Sequence, residues 1–240
     1  MNYTIDIFLP VIDETFSLEK TISEIEKKSS RFTKRYLITI SKSKTTLKSL
    51  KKIKILKKKY KKKVKVIYQE KPFLGGALLT AIKYIESSHF VLMASDLETN
   101  PSFFYKLRTK SQRYQNKIVV ASRWKDKNSF HGYNFIKLIL NKIFQIFFSF
   151  LYKSNLTDLT FGYRIYPSNV IKTIKLKELK HPILLESLII PLKLGIKVLE
   201  IKSNWKSRLE GKSHNPFLNN FLYVKTGLRI FFSNKKKLIL

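Results

Sequence analysis

The first half of the chain alternates short apolar runs with helical patterns, and this order narrows the possible folds more than any other feature. The runs are rich in β-branched and aromatic residues, whereas the segments between them repeat apolar residues at helical spacing. The predicted strands are Ile5–Pro10, Tyr36–Ile40, Val64–Tyr68, His89–Met93 and Lys117–Ser122, and helices are predicted at Asp13–Lys28, Gly76–Glu86 and Pro101–Tyr114. Such alternation predicts an α/β fold with a mixed, mostly parallel sheet flanked by helices.

The second half contains longer apolar segments and basic loops. Helices are predicted at Tyr133–Tyr152 and Pro182–Leu194, a strand at Ile196–Ile201, and loops at Asn155–Tyr166 and Ser203–Asn215. The remaining residues alternate aromatic with basic side chains, which is typical of an amphipathic helix. We therefore predict one domain over residues 1–215 and an amphipathic basic tail over residues 216–240.

The composition excludes several classes of enzyme. The chain has no cysteine, which excludes disulfides, thiolate metal sites and cysteine nucleophiles. Its 4 histidines do not occur at the spacings of zinc enzymes, so we do not expect one. No signal peptide opens the chain, and no uncharged apolar stretch reaches the roughly 18 residues that a spanning helix needs. We therefore predict a cytoplasmic protein without a transmembrane span.

The formal net charge of +32 predicts attraction to polyanions, including an anionic membrane surface. Of the 48 basic residues, 40 are lysine and 8 are arginine. Nucleic-acid recognition depends on arginine for bidentate contacts, so this ratio does not favour a basic nucleic-acid-binding module, which stays an alternative. Between Lys42 and Lys65, 13 of 24 residues are lysine. This window is either the solvated face of a helix or an electrostatic anchor to anionic lipid.

The segment Tyr133–Tyr152 is the most apolar part of the chain. One stripe of the predicted helix is apolar and includes Ile136 and Phe147, whereas Asn141 and Gln145 lie on the opposite side. Phenylalanines on one side and lysines on the other are typical of a helix at a membrane interface. This pattern predicts peripheral association with the inner face of the plasma membrane. Burial of the stripe against the domain, or a dimer contact, explains it equally well.

Two carboxylates follow the strand His89–Met93. Asp96 and Glu98 lie at its carboxyl end, where ligands bind in open α/β sheets. Carboxylates two residues apart in an extended turn point the same way and could share a hard cation, Mg2+ or Mn2+. Such a cation would neutralise the charge that develops on a leaving diphosphate. The sequence therefore predicts a metal site formed by Asp96 and Glu98.

Six short motifs occur in one order along residues 5 to 214. They are Leu9-Pro10 with Asp13-Glu14, Leu74-Gly75-Gly76-Ala77, the Asp96 segment, Ala121-Ser122-Arg123-Trp124, Thr157-Asp158-Leu159-Thr160-Phe161-Gly162-Tyr163-Arg164, and Arg208-Leu209-Glu210-Gly211-Lys212-Ser213. In these motifs the chain resembles family 2 glycosyltransferases, particularly the dolichol-phosphate-mannose-synthase-like branch. The resemblance implies the Rossmann-like GT-A fold, which holds a nucleoside-diphosphate sugar and Mg2+ or Mn2+.

The resemblance also assigns residues to the donor sugar-nucleotide. Pro10 and Glu14 look like the loop that contacts the base and the ribose, and Gly75 and Gly76 belong to the same donor-binding set. Asp96 matches the last Asp of the family's Asp-x-Asp motif, whose first Asp is Ala94 here, and Glu98 matches a second metal contact. The acidic turn that usually follows the second strand is replaced by Ser41-Lys42-Ser43-Lys44.

The remaining assignments are basic or phosphate-binding. Arg123 resembles the residue that pairs with the donor phosphates, and its alternative role is to cap the end of a strand. Arg164 looks like part of the acceptor-side wall, or forms a structural ion pair with Asp158 or Glu186. Arg208, Lys212 and Ser213 match a basic loop that closes over phosphates, where clustered donors would approach two phosphate groups together.

The class of acceptor depends on whether the chain offers a general base. The GT-A fold implies a single inverting displacement, and a hydroxyl acceptor would need a base, for which Asp158 or Glu186 is the candidate. A phosphate acceptor is already ionised and needs only cations. Together with the apolar segment Tyr133–Tyr152, this favours a polyprenyl-phosphate or similar lipid-phosphate acceptor. The alternatives are transfer to a saccharide hydroxyl in cell-surface polysaccharide synthesis, and a catalytically silent binding module.

Overall fold

A seven-stranded mixed sheet forms the centre of the molecule, with strand order β3-β2-β1-β4-β6-β5-β7. The computed structural model describes residues 2–127, 129–130, 133–210 and 219–240. The strands are β1 Ile5–Val11, β2 Thr33–Ile40, β3 Val64–Tyr68, β4 His89–Leu92, β5 Ile118–Ser122, β6 Arg164–Pro167 and β7 Val198–Lys202. The predicted α/β class with a mostly parallel sheet is confirmed.

The direction of the strands decides where the loops meet. β1 pairs in parallel with β2 and β4, β2 with β3, and β5 with β7. β6 is antiparallel to both β4 and β5, so these two strands run in the same direction. The carboxyl ends of β1, β4, β5 and β7 therefore lie at one edge of the sheet, together with the segment that leads into β6. This edge is where ligands bind in open α/β sheets.

Helices cover both faces of the sheet. They are α1 Phe16–Ser29, α2 Leu47–Tyr60, α3 Phe73–Ile82, α4 Phe104–Arg113, α5 Phe135–Leu151, α6 Ser168–Thr173, α7 Ile183–Lys193 and α8 Asn219–Phe232. Side chains of α1, α2 and α4 share one hydrophobic cluster with Ile7 and Leu9 of β1, whereas α3, α5, α7 and α8 share the other with Phe8. Successive residues of a strand point to opposite faces, so β1 supplies both cores.

Several boundaries differ from the sequence-based prediction. Residues Asn155–Tyr166 were expected to form a loop, yet β6 begins at Arg164 and α6 follows directly. The strand is only 4 residues long and ends in Pro167, so it lacks the alternating pattern that identifies longer strands. Helix α3 begins at Phe73, before both glycines. The division into a domain and a tail at residue 215 stays a prediction.

The helices at the carboxyl end of the chain pack closely together. In α8, Tyr223, Thr226 and Ile230 are buried, and the ε-ammonium of Lys193 in α7 donates to the Ile230 carbonyl oxygen at 2.8 Å. Within the described part of the chain, no helix is both long enough and apolar enough to cross a membrane.

Candidate active site

The two predicted metal-binding carboxylates lie at the carboxyl end of β4. The Ser95 hydroxyl donates to the Pro10 carbonyl oxygen at 2.9 Å, which ties this segment to the end of β1. Leu97 adopts a positive φ of 65°, and the amide of Glu98 donates to the Asp96 carboxylate at 3.1 Å. This tight turn brings Asp96 and Glu98 together. Asp96 is buried, with 6% of its surface exposed.

Both carboxylates bind the same guanidinium. Arg208 lies 3.2 Å from Asp96 and 2.9 Å from Glu98. Burial, and then the charge of Glu98, raise the pKa of Asp96 to about 7, although Arg208 acts to lower it. Glu14, whose own pKa is raised by burial, also raises the pKa of Asp96. Crowded carboxylates with raised pKa values favour a nearby cation, and Arg208 supplies it here.

The pair also fits a divalent metal. Mg2+ and Mn2+ prefer oxygen ligands, and Mg2+ is usually held by one or two carboxylates together with substrate phosphates. One cation already contacts Asp96 and Glu98 at once, so the two side chains can share a metal ion. Among the described residues, no three His, Cys, Asp or Glu side chains form a metal-binding group. The protein would therefore contribute two carboxylates, with the remaining positions left to phosphate oxygens and water.

Arg123 follows β5 at the same edge and is held by Asp158. Its Nε and Nη2 atoms lie 2.7 and 2.9 Å from the two carboxylate oxygens, and its backbone amide also donates to Asp158. Burial by itself raises the pKa of Asp158, but the charge and hydrogen bonds of Arg123 outweigh it and hold that pKa below its usual range. The guanidinium lies over the rings of Phe130 and Phe161. These contacts fix Arg123 in one orientation.

A cavity of about 940 Å³ joins these groups to an apolar groove. Asp96, Glu98, Arg123 and Arg208 line its polar end. Its other end lies between α5 and α8 and is lined by apolar side chains, among them Leu140, Ile143, Phe144, Phe147, Phe221 and Val224. The cavity therefore offers one continuous path from the carboxylate pair to the apolar side chains of two helices.

Some predicted site residues lie elsewhere. Arg164 is fully buried, and its guanidinium donates to the carbonyl oxygens of Leu159 and Leu184 instead of forming an ion pair with Asp158 or Glu186. It does not line the cavity, so the structure does not bring it to an acceptor-side wall. Its hydrogen bonds join the loop before β6, at Leu159, to helix α7, at Leu184.

Glu186 is fully buried beneath the cavity. Its carboxylate accepts the amides of Lys177 and Glu178 and pairs with Arg229 of α8 at 2.8 Å. These bonds hold α8 on α7. Glu186 and Asp158 are both fully buried and bound to cations and amides.

The two glycines support the backbone instead of lining the cavity. The Gly75 amide donates to the Leu179 carbonyl oxygen at 2.6 Å. A Cβ atom at Gly75 would overlap the Glu178 carbonyl oxygen, and one at Gly76 would overlap the Lys71 carbonyl oxygen. Glycine is therefore required for this close approach. Of the remaining predicted residues, Pro10 lines the cavity, and Lys212 and Ser213 lie outside the described residues.

The structure adds residues that the motifs did not indicate. The Trp205 indole lies near Glu98, with 3.4 Å between its Nε1 and a carboxylate oxygen, and Tyr133 packs edge-on against Trp205 at a ring distance of 5.3 Å. Gln145 of α5 is buried, accepts the amide of Leu159 at 2.7 Å and donates to Thr160. One signal was available for Trp205, because a tryptophan lies three residues before the basic motif that begins at Arg208. Gln145 gave none, because polar residues on an amphipathic helix are expected to face water.

The sheet, its carboxyl-edge carboxylates and the cavity define a Rossmann-like α/β protein of the GT-A type. A family model described as glycosyl transferase family 2 matches residues 6–175. The chain belongs to this family and is a glycosyltransferase.

Solved structures agree on the fold. Glucosyl-3-phosphoglycerate synthase from Mycobacterium tuberculosis, in complex with uridine diphosphate, aligns with a TM-score of 0.71 at 14% identity, over 96% of this chain and 80% of that one. Its complex with Mn2+, uridine-diphosphate-glucose and phosphoglyceric acid gives the same four values. A structure described only as a mycobacterial protein aligns with a TM-score of 0.72 at 13% identity, over 98% of this chain and 77% of that one.

Proposed function

We propose that this enzyme transfers a sugar from a nucleoside-diphosphate sugar to a lipid-phosphate acceptor of the polyprenyl-phosphate type at an anionic membrane surface. Asp96 and Glu98 would hold Mg2+ or Mn2+, which would neutralise charge on the leaving diphosphate. Family membership supports the donor class, and the similar structures that contain Mn2+ or Mg2+ with uridine diphosphate support the metal. The proposal includes the dolichol-phosphate-mannose-synthase-like branch.

The orientation of α5 carries the proposal. Gln145 and Phe148 face the domain, at 1% and 0% exposed, whereas most of its apolar side chains face outward. Phe135 is 71% exposed and Phe150 is 83% exposed, and Ile136, Ile139, Leu140, Ile143, Ile146 and Phe147 are exposed as well. A helix that packs only on its own domain buries its apolar stripe, but α5 leaves most of that stripe exposed. Such a contiguous apolar face marks a surface that binds a membrane or another protein.

The groove gives a lipid acceptor a place to bind. The cavity passes from Arg123 and Arg208 to the space between α5 and α8. A phosphate group placed at the polar end would meet two guanidinium groups, which bind phosphate oxygens in bidentate geometry. An isoprenoid chain attached to it would leave along the apolar groove toward the exposed face of α5. Soluble acceptors need no such path.

The state of the acidic residues supports a phosphate acceptor. A hydroxyl acceptor requires a base that can take its proton, but Asp158 and Glu186 are both fully buried and already bound to arginine. An ionised phosphate attacks without losing a proton. Arg123, fixed by Asp158, would orient it for in-line attack on the anomeric carbon.

We assign membrane contact to α5 and not to the lysine-rich helix α2. Ile53 and Leu56 of α2 pack in the hydrophobic cluster on the opposite face of the sheet from α5. The α2 lysines therefore cannot lie in the same interface as Phe147 and Phe150. Lys137 and Lys142 of α5 are better placed to contact anionic headgroups.

The acceptor is tested by comparing three substrates with one donor panel. Purified protein with Mn2+ and each common nucleoside-diphosphate sugar is given polyprenyl phosphate in vesicles, phosphoglycerate, or a soluble saccharide. We expect turnover with polyprenyl phosphate alone. Phosphoglycerate is the acceptor ligand named for the similar structures. Turnover with phosphoglycerate or with the saccharide, in the absence of turnover with polyprenyl phosphate, would refute the proposal.

Membrane contact is tested by flotation with vesicles that contain anionic lipid. Phe147→Ser with Phe150→Ser should reduce binding at least about tenfold, since each removes roughly 1.5 to 3 kcal/mol of apolar burial. Ile55→Ser is the matched control, because Ile55 is 54% exposed on the opposite layer. An equal loss in the control, or a stable dimer that buries α5 and does not float, would contradict the assignment.

A further inference from the structure

Glu210 lies at the amino terminus of α1, almost the whole chain away in sequence. Its carboxylate accepts the backbone amides of Thr15 and Ser17, both at 2.9 Å, and the Ser17 hydroxyl at 2.8 Å. The Thr15 hydroxyl donates to its second oxygen. Glu210 is the acidic residue of the predicted phosphate-binding motif Arg208–Ser213.

Helix α1 requires a cap from elsewhere. The first amides of a helix have no partner within the helix, and the side chain of its own N-cap residue, Thr15, makes no capping hydrogen bond. A carboxylate suits this position, because helix amino termini carry partial positive charge. Burial raises the pKa of Glu210, but the hydrogen bonds from Thr15 and Ser17 outweigh it and lower that pKa to about 2. Glu210 is therefore a firmly bound anion.

The same segment crosses the carboxylate pair. Trp205 forms an antiparallel bridge with Thr99, just beyond Glu98. Arg208 then pairs with Asp96 and Glu98, and two residues later Glu210 reaches α1. The chain from 205 to 210 is thus attached on both sides of the site, to the loop after β4 and to α1. A guanidinium two residues from a fixed carboxylate has little freedom to move away.

We propose that Glu210 is a positioning residue that holds Arg208 over Asp96 and Glu98 by anchoring its segment to the amino terminus of α1. The identity of the ligands that Arg208 would contact rests on the proposed function. The anchoring of the segment by Glu210 does not. Loss of the anchor would free Arg208 and leave the other polar groups of the cavity, Asp96, Glu98 and Arg123, in place. Thr15 and Ser17 act in the same way from the other side.

The test separates this role from a general loss of stability. Glu210→Ala is compared with Thr46→Ala, which removes the cap of α2, where the Thr46 hydroxyl accepts the Ser49 amide. Both should lower the melting temperature by a few degrees, as expected for a lost cap in a domain of this size, about 2–4 °C per kcal/mol. Only Glu210→Ala should change the site.

Two readouts report on the site. Trp205 fluorescence, measured in a Trp124→Phe background, should shift to longer wavelength and be quenched by acrylamide roughly twice as strongly in Glu210→Ala, because the segment is released from a buried position. Turnover at saturating donor should fall about tenfold to a hundredfold, as a misplaced catalytic group does. Glu210→Gln, which keeps an acceptor oxygen, should restore part of both.

The outcomes are decisive in each direction. Unchanged Trp205 fluorescence in Glu210→Ala, or equal turnover losses in Glu210→Ala and Thr46→Ala, would overturn the proposal. If Glu210→Ala does not fold, Ser17→Ala is used instead, because it removes one bond to the same carboxylate. The emission of Trp205 should then shift in the same direction, and an unshifted spectrum would overturn the proposal. The fluorescence result needs no acceptor, so failure of the polyprenyl-phosphate assay would leave it standing.

Discussion

Asp158 holds Arg123 at the cavity, and its replacement by asparagine tests whether it is an anchor or a general base. The carboxylate is fully buried and accepts from three groups of Arg123 and from the amides of Thr160 and Phe161. Asparagine keeps the shape of the side chain. It removes the charge and turns one acceptor oxygen into a donor that faces other donors.

The structure sets the size of the effect. Removing one partner of a buried ion pair costs about 3–5 kcal/mol, because the other charge is left unpaired. The Arg123 side chain keeps 13% exposure at the cavity and a 3.1 Å bond to Thr160, so we expect about 3 kcal/mol. For a protein of this length that corresponds to a melting temperature lower by about 6–12 °C. When Arg123 is also replaced, by methionine, the double variant should lose less of its unfolding free energy than the sum of the two single variants, by roughly 2 kcal/mol or more.

Urea unfolding of the four proteins in this cycle measures the coupling, and a pH–rate profile measures the chemistry. Because Arg123 holds the pKa of Asp158 below its usual range, Asp158 is already ionised at neutral pH, and its replacement should leave the acid limb of the profile unchanged. Additive losses of stability in the cycle would refute the ion-pair argument. Loss of the acid limb in Asp158→Asn alone would restore Asp158 as a general base and favour a hydroxyl acceptor.

Three further outcomes follow from named contacts. Gly227→Ala should lower the free energy of unfolding, measured in urea, by about 1–3 kcal/mol, because its Cβ would overlap the buried Phe148 ring of α5. Arg229→Met should lower the free energy of unfolding by about 3 kcal/mol in the same assay, because it leaves Glu186 buried without its cation. Adding Glu186→Leu to that variant should restore much of the lost stability. The lowered pKa of Glu210 stabilises the fold above about pH 4.5, and this contribution is lost as the pH falls toward about 2. Between these pH values the free energy of unfolding should fall by about 1 kcal/mol more in the wild type than in Glu210→Gln, as measured by acid titrations followed by circular dichroism. The same pH dependence in both proteins would contradict this.

Much of the candidate site was predictable because it depends on local sequence. Asp96 and Glu98 directly follow an apolar strand, so their place at the carboxyl edge follows from the alternation of strands and helices. Arg123 follows β5 for the same reason. The partners of these residues were not predictable. Arg208 and Glu98 are 110 residues apart, and Arg123 and Asp158 are 35 apart, so only the folded chain brings them together.

Arg164 and Glu186 show the opposite case. The family resemblance predicts Arg164 at the acceptor-side wall, and Glu186 is a candidate base, yet each is fully buried and bound to backbone groups. Their environment comes from β6, α7 and α8, and no local pattern distinguishes a charge that meets substrate from one that joins two elements.

The sequence by itself determined the α/β class, six of the seven strands and the position of the carboxylate pair, since strand and helix periodicity are local properties. It also determined that α5 has one apolar and one polar side. Only the tertiary structure decided which side faces water. Gln145 binds the loop before β6 and turns inward together with Phe148, while most of the apolar stripe stays exposed. That choice depends on hydrogen bonds between Gln145 and residues 14 and 15 positions further along the chain, and it is what directs the proposed acceptor toward lipid.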